Sequence, residues 1–480
     1  MPKKIAIGLI VMIVLLLNAL RFWKLDTIPN GYHVDEVGSA VTVQCFTERG
    51  CDAELLPWPL YGFMEYGQDK PPTYVYPGII WGEIFGTTVP SLRGYAAFVL
   101  LIGILGLFFV ARNLFGNAFA AVVVLAAACS PWAWVVTRVA LESYFAPVFV
   151  IGGLYFFWRS SHWRDWALSG FLFACAMITY PPAMLQVPLM MITLAIYEWG
   201  RRPFRWQSIL SLVIVFILSL LFTIFRHIHF SGSARIAQRF GDISIFNSNY
   251  LHSLGKSGSL GDIIGVFVHN YLLHLSPDFL FLTGDPSFVH STRHLGLFSF
   301  LDITALFMLT VFLVIAIVNR SWKQNPVIKD RRWLIFLAAN FFIGIIPSAL
   351  TNQELPHALR ICGGWPFMML FTGFMLFSAA ESLKPCWIAI ALIGALSGGV
   401  LAYQYFTVYP QESKGMFDYW VKDTAEQLQT KEDWQKFMLY FHRRNYHIRY
   451  FLVHRLGLTC KQANDLWWQL HDQLDKQGQF

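Results

Sequence analysis

Charged side chains are scarce in this sequence: Asp, Glu, Lys and Arg make up 14% of its 480 residues, whereas soluble domains have about 25%. Apolar residues make up 56%, and the mean hydropathy is +0.48. This composition excludes the soluble and the disordered classes of protein. The sequence therefore predicts a membrane protein, and we assign its net charge of +7 to loops beside the membrane and not to a nucleic-acid partner.

Motifs of soluble enzymes are missing as well. The seven cysteines include no CxxC pair, which excludes a zinc ribbon and a thiol redox motif. There is no Gly-rich dinucleotide motif and no stretch long enough for a soluble nucleotide-sugar domain. Only Cys45 and Cys51 lie close together outside an apolar run, and they could pair in an oxidising compartment.

Long runs without charge are abundant. A helix needs about 20 mostly apolar residues to cross a bilayer, and the run at 166–197 is too long for one crossing but contains Pro181 and Pro182, which divide it. We therefore predict about eleven transmembrane helices and an all-α fold. The runs lie at 5–20, 94–111, 113–137, 143–158, 166–197, 206–225, 303–319, 333–353, 361–380 and 385–411.

Lysine and arginine are divided unequally between the two sides of the membrane. If the amino end is cytoplasmic, the short inner loops hold fourteen of them and the short outer loops hold two, as the positive-inside rule requires. We therefore predict an integral protein of the plasma (inner) membrane whose first helix is retained. Residues 1–411 form its transmembrane domain, and residues 412–480 form a short helical extracytoplasmic tail.

Two long segments, 21–93 and 226–299, fall on the outer side. Each contains a short apolar piece, at 71–85 and 263–275, which predicts a juxtamembrane helix. Ionisable groups are almost absent from the membrane runs, where transporters place them, whereas acidic residues gather in the outer segments. This distribution favours a reaction at the outer face over a path through the membrane.

The first outer segment contains two candidate sites. Asp35 and Glu36 follow the first run, and an aspartate near the apolar boundary could accept a proton from a hydroxyl nucleophile. The alternative is a solvated acidic pair at the start of a helix. Asp69 and Lys70 precede two prolines that can start a helix and place an ammonium near a phosphate head group. A lone lysine beside a membrane is more often an anchor.

The second outer segment contains Asp285, His290, Arg293 and His294 just before an apolar run. Two histidines and an arginine can bind a phosphate oxyanion, the arginine in a bidentate manner. His290 and His294 are four residues apart and could hold a metal if the segment were helical, but no acidic ligand has the usual local spacing. Surface histidines are the simpler interpretation. We expect no cofactor, although a divalent cation could take part.

Two further pairs lie in short outer turns. Arg138 and Glu142 are four residues apart, and an ion pair on a helix would explain them. His357 and Arg360 lie in the turn before another apolar run. Both pairs are candidates for substrate binding.

Taken in order, these strings resemble the GT-C superfamily of membrane glycosyltransferases, which contains the protein O-mannosyltransferases and the lipid A aminoarabinose transferase. The resemblance extends from residue 1 to about 410, and the order of the strings carries it. The strings are DE at 35–36, GCD at 50–52, GQDKPPTY at 67–74, FG before Arg93, the stretch 138–144, TYP at 179–181, the stretch 270–285 and PHALR at 356–360.

The resemblance implies a GT-C fold and an inverting transfer of a hexose or pentose on the outer face of the membrane. The donor would be a polyprenyl-phosphate-linked sugar, and the acceptor a glycan, a lipid or a protein. By analogy Asp35 is the catalytic base, and Glu36 supports it or orients the acceptor. The donor phosphate is held by Lys70 with Arg293 or a neighbouring histidine. The substrate-binding set also includes Asp69, Arg138, Glu142, Asp285, His290, His294, His357 and Arg360.

Two other functions are compatible with the sequence. A flippase or exporter of lipid-linked glycans would have eleven or twelve spans, but it predicts a polar passage between helices that the sequence hardly shows. A non-catalytic membrane partner of a true transferase would carry the acidic pair without using it. The sequence does not indicate the sugar, the acceptor or the role of the tail.

Overall fold

Helices account for nearly all regular structure in the computed structural model, which describes residues 2–57, 63–65, 68–159, 162–200, 206–229, 241–318 and 331–476. Within these residues the only strands are β1 (Phe63–Glu65) and β2 (Gln68–Lys70), a short antiparallel pair with Phe63 opposite Lys70. The all-α membrane class predicted from composition is therefore confirmed.

The helices fall into a long series followed by four tail helices. The series is α1 (Pro2–Leu20), α2 (Val34–Arg49), α3 (Pro72–Phe85), α4 (Val89–Phe115), α5 (Asn117–Cys129), α6 (Pro131–Trp134), α7 (Phe145–Arg159), α8 (Trp163–Thr179), α9 (Ala183–Glu198), α10 (Trp206–His229), α11 (Ser248–Ser253), α12 (Leu260–Leu273), α13 (Phe300–Val318), α14 (Arg331–Ala349), α15 (Trp365–Ser382), α16 (Cys386–Tyr403) and α17 (Tyr409–Glu412). The tail contains α18 (Tyr419–Gln427), α19 (Lys431–Tyr440), α20 (Asn445–Leu456) and α21 (Cys460–Lys476).

Five helical stretches in the described part of the chain are long and apolar enough to cross a membrane alone: Lys3–Leu20, Val89–Phe115, Arg331–Ala349, Cys362–Ser382 and Cys386–Glu412. The bent pair Asn117–Cys129 and Pro131–Arg138 makes a sixth if it is one span. Shorter apolar helices occupy Phe145–Arg159, Ala183–Glu198, Ile209–Leu221 and Phe300–Ile315. The total of eleven crossings stays a prediction.

Both predicted juxtamembrane helices are present as helices. α3 begins after the extended Pro71 with a proline in its first turn, where a missing N–H leaves no unpaired donor, and it ends at Gly86 with φ 86°. α12 begins at a capping box formed by Ser259 and Asp262. The prolines that precede α3 therefore start a helix, as the sequence suggests.

The centre of the membrane part is α5. Every residue from Phe119 to Cys129 is buried, and the helix packs against α1, α4 and α15. A helix that is apolar on all sides belongs in such a position. The two helices approach closely, because Gly373 of α15 lies so near Val123 of α5 that an added Cβ would clash.

A bend of 62° follows α5 and divides the run predicted at 113–137. Pro131 cannot donate the backbone hydrogen bond that would continue the helix. After α6 and a short 3-10 turn at Val136–Arg138, the chain becomes extended at Val139, with φ −110° and ψ 134°. Because of the bend, the following residues, Val139 to Ser143, form a loop that contacts the segment 21–93.

The tail packs on the first outer segment. Buried side chains of α2, α3, α20 and α21 form one apolar core. Hydrogen bonds join the same parts: the Tyr446 hydroxyl donates to Glu54 at 2.6 Å, and Arg449 donates to the carbonyl of Ala53. Because the two segments share a core, the tail holds α2 in place.

A disulfide joins Cys45 of α2 to Cys460 of α21. The pairing of Cys45 with Cys51 that proximity in sequence suggested is therefore wrong. Cys51 is a buried free thiol whose Sγ lies 3.7 Å from the carbonyl of Cys45. The tail supplies the partner because packing brings α21 against α2, which spacing along the chain cannot reveal.

Replacing Cys460 with Ser should lower the free energy of unfolding by about 2–4 kcal/mol, because the bond closes a loop of 415 residues. Thermal unfolding of the purified protein in detergent measures the change, and alkylation of the unfolded, unreduced chain counts the free thiols. The Cys51→Ser variant is the control. It should keep the disulfide, and loss of the bond in this variant would contradict the assignment.

Candidate active site

The N-terminus of α2 presents the predicted base. His33 caps the helix, and a reciprocal capping box links it to Glu36. The side chain of Asp35 is 42% exposed, and its Oδ2 lies 3.7 Å from Nδ1 of His33. Asp35 is thus anchored on a capped helix end and accessible to a substrate, where the helix dipole also favours its negative charge.

The neighbouring carboxylate has a different environment. Glu36 is fully buried and forms a bidentate pair with Arg93, with distances of 2.6 Å to Nε and 2.8 Å to NH2. It also accepts from the backbone N–H groups of His33 and Ala140. Glu36 therefore fixes the start of α2 through buried bonds, and its role of supporting Asp35 stays a prediction.

Arg93 was not among the predicted site residues, although it is the one charge at the start of its apolar run. Its guanidinium is buried in α4 and donates to the carbonyls of Leu25, Pro29 and Gly31 at 2.9–3.0 Å, besides the pair with Glu36. The chain between α1 and α2 therefore surrounds the Arg93 guanidinium. These bonds fix the entry to α2 and hence the position of Asp35.

The loop Val139–Ser143 connects three distant parts of the sequence. Ala140 donates its N–H to Glu36 at 3.2 Å, and its carbonyl accepts from the Tyr74 hydroxyl of α3 at 2.9 Å. Glu142 lies 3.1 Å from Nζ of Lys70. The Sγ of Cys362 donates to the carbonyl of Ser143 at 3.5 Å. α2, Lys70 and the turn before α15 therefore meet at this loop.

Arg138 and Glu142 do not form a helical ion pair, so that interpretation of their spacing is wrong. The 3-10 turn ends at Arg138, and Glu142 pairs with Lys70 instead. The guanidinium of Arg138 is fully buried between the rings of Tyr405 and Phe406. It donates to four backbone carbonyls, those of Leu20, Arg21, Trp23 and Ile28. This arginine has no exposed surface with which to bind a substrate and instead fastens the end of α1.

The second outer segment contributes a buried cluster. Oδ2 of Asp285 lies 3.2 Å from Nδ1 of His290 and 3.7 Å from Nδ1 of His357, and the two imidazoles stack at 4.6 Å. Asp285 also accepts the N–H groups of Ser287 and Ala358. Two segments that are distant in sequence, around 285–290 and 357–358, are therefore joined by one carboxylate.

Burial alone would raise the pKa of Asp285, but the adjacent His290 and His357 and the Ala358 N–H outweigh it, so that this pKa lies below its ordinary value. Burial moves the pKa of His357 well below its ordinary value, and the neighbouring His290 adds to the shift. The cluster at neutral pH therefore consists of a carboxylate and an uncharged His357.

His290 and His294 do not share a site, so the alternative of a metal held by this pair is wrong. The segment is not helical, and His294 pairs with Glu412 at 2.6 Å. Arg293 lies between them and is exposed, with a φ of 59° and its guanidinium 5.2 Å from the centre of the Phe288 ring. Of the predicted phosphate ligands, this arginine is the most accessible cation.

Two remaining candidates lie beside the cluster and beside Lys70. Arg360 donates to Thr351 Oγ1 at 2.8 Å and to the carbonyl of Gln353 at 2.6 Å, so it also braces its own turn. Asp69 precedes Lys70 in β2, but its side chain is outside the described part of the structure.

Aromatic contacts connect the N-terminus of α2 to Arg293. The ring of His33 lies 6.1 Å from that of Phe417, and Phe417 lies 6.4 Å from Tyr409. The Tyr409 hydroxyl donates to the carbonyl of Phe288 at 2.6 Å, and the guanidinium of Arg293 lies over the Phe288 ring. His33, the cap of the helix that bears Asp35, and Phe288, the ring beside Arg293, therefore both contact the segment 409–417.

These features define a helical membrane protein whose candidate base, Asp35, lies at the start of α2. Residues 69–225 match the protein family described as dolichyl-phosphate-mannose-protein mannosyltransferase. The matched range contains Lys70, Arg93 and Glu142. The match confirms that the chain resembles membrane glycosyltransferases of the protein O-mannosyltransferase type. No curated protein sequence matches the chain significantly.

Solved structures with a similar course of the chain include two membrane proteins. The apo oligosaccharyltransferase of Archaeoglobus fulgidus has 14% identity and a TM-score of 0.48, with 91% of this chain and 59% of that one covered. ArnT from Cupriavidus metallidurans bound to undecaprenyl phosphate has 15% identity and a TM-score of 0.48, with 95% and 75% covered. The present chain thus spans 59% of the length of the archaeal protein.

Proposed function

We propose that this protein is an inverting glycosyltransferase that moves a sugar from a polyprenyl-phosphate-linked donor to an acceptor on the outer face of the membrane. The observation that carries the proposal is the loop Val139–Ser143, which ties the helix of Asp35 to Lys70 and to the turn beside the Asp285 cluster. The helix of the proposed base and the cation Lys70, which come from separate parts of the sequence, are thereby linked through one loop. The family match at 69–225 supports the same class of reaction.

In the proposed reaction, Asp35 accepts the proton of an acceptor hydroxyl while the acceptor oxygen attacks the anomeric carbon. The bond between that carbon and the phosphate oxygen breaks, and the lipid phosphate leaves with the electron pair. An alcohol is a poor nucleophile until its proton is removed, so a positioned base contributes directly to the rate. Attack on the face opposite the phosphate inverts the configuration.

The leaving phosphate gains negative charge, and fixed cations stabilise it. Arg293 suits this role because its guanidinium is exposed and can bind two phosphate oxygens at once. Lys70 is a weaker candidate, since it is mostly buried and already paired with Glu142. We assign Arg293 to direct contact with the phosphate. We assign Lys70 to stabilising the negative charge at a distance, without contact.

The orientation of the chain is part of the proposal. The disulfide between α2 and α21 is typical of an oxidising compartment, and it supports placing both helices outside the cytoplasm. The unequal distribution of lysine and arginine in the short loops supports the same orientation. The carboxyl-terminal tail would then lie on the side where the acceptor, a glycan, a lipid or a protein, arrives.

Replacing Arg293 with Gln should weaken binding of the donor about 10- to 100-fold, because a charged hydrogen-bond donor to phosphate contributes about 1.5–3 kcal/mol. Transfer is measured in membranes with polyprenyl-phosphate sugars extracted from the native cells, and the donor concentration for half-maximal rate is compared. Lys461→Gln removes an exposed cation of the tail and is the control. Equal donor dependence in the two variants would reject Arg293 as the phosphate ligand.

A further inference from the structure

Three potential metal ligands converge in the cluster of the second outer segment. Asp285, His290 and His357 each offer one ligand atom, these three atoms lie within 4.8 Å of one another, and all three residues are buried. Two imidazole nitrogens and one carboxylate oxygen form a ligand set that zinc binds readily. Such a set differs from an exposed acidic cluster because it is buried and chemically mixed.

The distances within the cluster are close to those of a metal site. Zinc bonds of about 2.0–2.1 Å in a tetrahedral arrangement separate two ligand atoms by about 3.3 Å. The Asp285 oxygen lies 3.2 Å from the His290 nitrogen and 3.7 Å from the His357 nitrogen. Only small side-chain rotations would be needed to place one ion within reach of all three atoms.

His290 supplies a second observation. Its Nδ1 is buried and has no hydrogen-bond partner among the described residues apart from the contact with Asp285 at 3.2 Å. Buried polar atoms nearly always have a partner, and each exception requires an explanation such as an ion. The ligand atom of His290 lies within 4.8 Å of those of Asp285 and His357.

The surroundings of His357 also favour coordination. Its Nε2 lies 3.6 Å from the carboxylate of Glu354, and its Nδ1 accepts the N–H of Leu359 at 3.3 Å. This arrangement places the ring proton on Nε2 and the lone pair on Nδ1, where an ion would replace the hydrogen bond from Leu359. A carboxylate that faces the far nitrogen of a ligating histidine is a recurrent outer contact of zinc sites.

We propose that Asp285, His290 and His357 bind one Zn²⁺ ion, which links the second outer segment to the turn before α15. Asp285 keeps its bonds to the N–H groups of Ser287 and Ala358 and shares a remaining lone pair with the ion. Three protein ligands leave the fourth position of a tetrahedral ion to a water molecule or a substrate oxygen. The site does not depend on the proposed transfer reaction.

The test uses the full-length protein in detergent, stripped with a chelator and then titrated with Zn²⁺ alone. We expect one tightly bound ion per chain in the wild type and a rise in its melting temperature with zinc, because binding to the folded state stabilises it. His290→Gln and His357→Gln should each weaken zinc binding by more than about 100-fold and remove the rise in melting temperature. The matched control is His294→Gln, which changes an exposed histidine paired with Glu412 and should bind zinc as the wild type does.

Asp285→Asn could impair folding because of its backbone bonds, so His290→Gln decides the question. His290 lies at the more exposed side of the cluster. The melting temperature of the His290→Gln variant without metal reports whether that variant is folded. A stripped wild type that takes up no zinc would overturn the proposal. So would a folded His290→Gln variant with wild-type affinity, or a loss of binding in His294→Gln alone.

Discussion

Asp35→Asn is expected to reduce glycan transfer about 10²- to 10⁴-fold while leaving the protein folded and inserted. The change removes the proton acceptor but keeps the size and the hydrogen-bonding geometry of the side chain, and a positioned general base contributes about this factor. The side chain is 42% exposed at a capped helix end, so little packing is lost. Transfer from extracted polyprenyl-phosphate sugars and thermal unfolding are measured on the same preparation.

Glu83→Gln is the matched control for this experiment, because Glu83 is another exposed carboxylate of the first outer segment, located on α3. Its transfer rate should equal that of the wild type. Near-normal turnover in Asp35→Asn would reject the assignment of the base, whereas a loss shared with Glu83→Gln would indicate a general effect of surface charge.

Glu36→Gln is expected to lower the free energy of unfolding by about 3–5 kcal/mol. The change leaves the Arg93 guanidinium buried without its counter-ion, and an uncompensated buried charge costs about this much. Thermal or denaturant unfolding in detergent measures the loss. Activity should fall with the folded fraction, because Glu36 holds the N-terminus of α2 through its bonds to His33 and Ala140.

The control for the buried ion pair is an exposed ion pair with the same distance between its charged atoms. Lys3 and Glu381 are 2.6 Å apart, as are Arg93 and Glu36, but their side chains are 46% and 47% exposed. Glu381→Gln should change the stability by less than about 1 kcal/mol, since water screens such pairs. A similar loss in both variants would show that burial is not the cause.

Adjacent positions 35 and 36 are thus expected to separate catalysis from stability. In sequence the two carboxylates are adjacent, and only the resemblance to membrane glycosyltransferases gives them different roles. Helical geometry turns neighbouring side chains about 100° apart, so that one faces the site and the other the interior. Arg93, the partner of Glu36, comes from another helix, and for that reason the role of Glu36 depends on packing.

The structure confirmed those predictions that rest on local properties of the chain. The apolar runs, the starts of α3 and α12 and the placement of acidic residues outside the runs follow from residues that are neighbours in sequence. The predicted roles of Lys70 and Arg293 stay proposals. Pairings that closeness in sequence made conceivable were wrong, namely the Cys45 and Cys51 bond, the Arg138 and Glu142 ion pair and the His290 and His294 metal site.

The sequence by itself determined that this is a helical membrane protein, because each crossing needs only its own apolar residues to satisfy the backbone and to leave water. Tertiary structure alone decided which polar groups meet. Cys460, His357 and Arg93 reach their partners across 415, 72 and 57 positions of the chain. Contacts of that range depend on how the helices pack and where the chain bends, as at Pro131, and no local pattern records them.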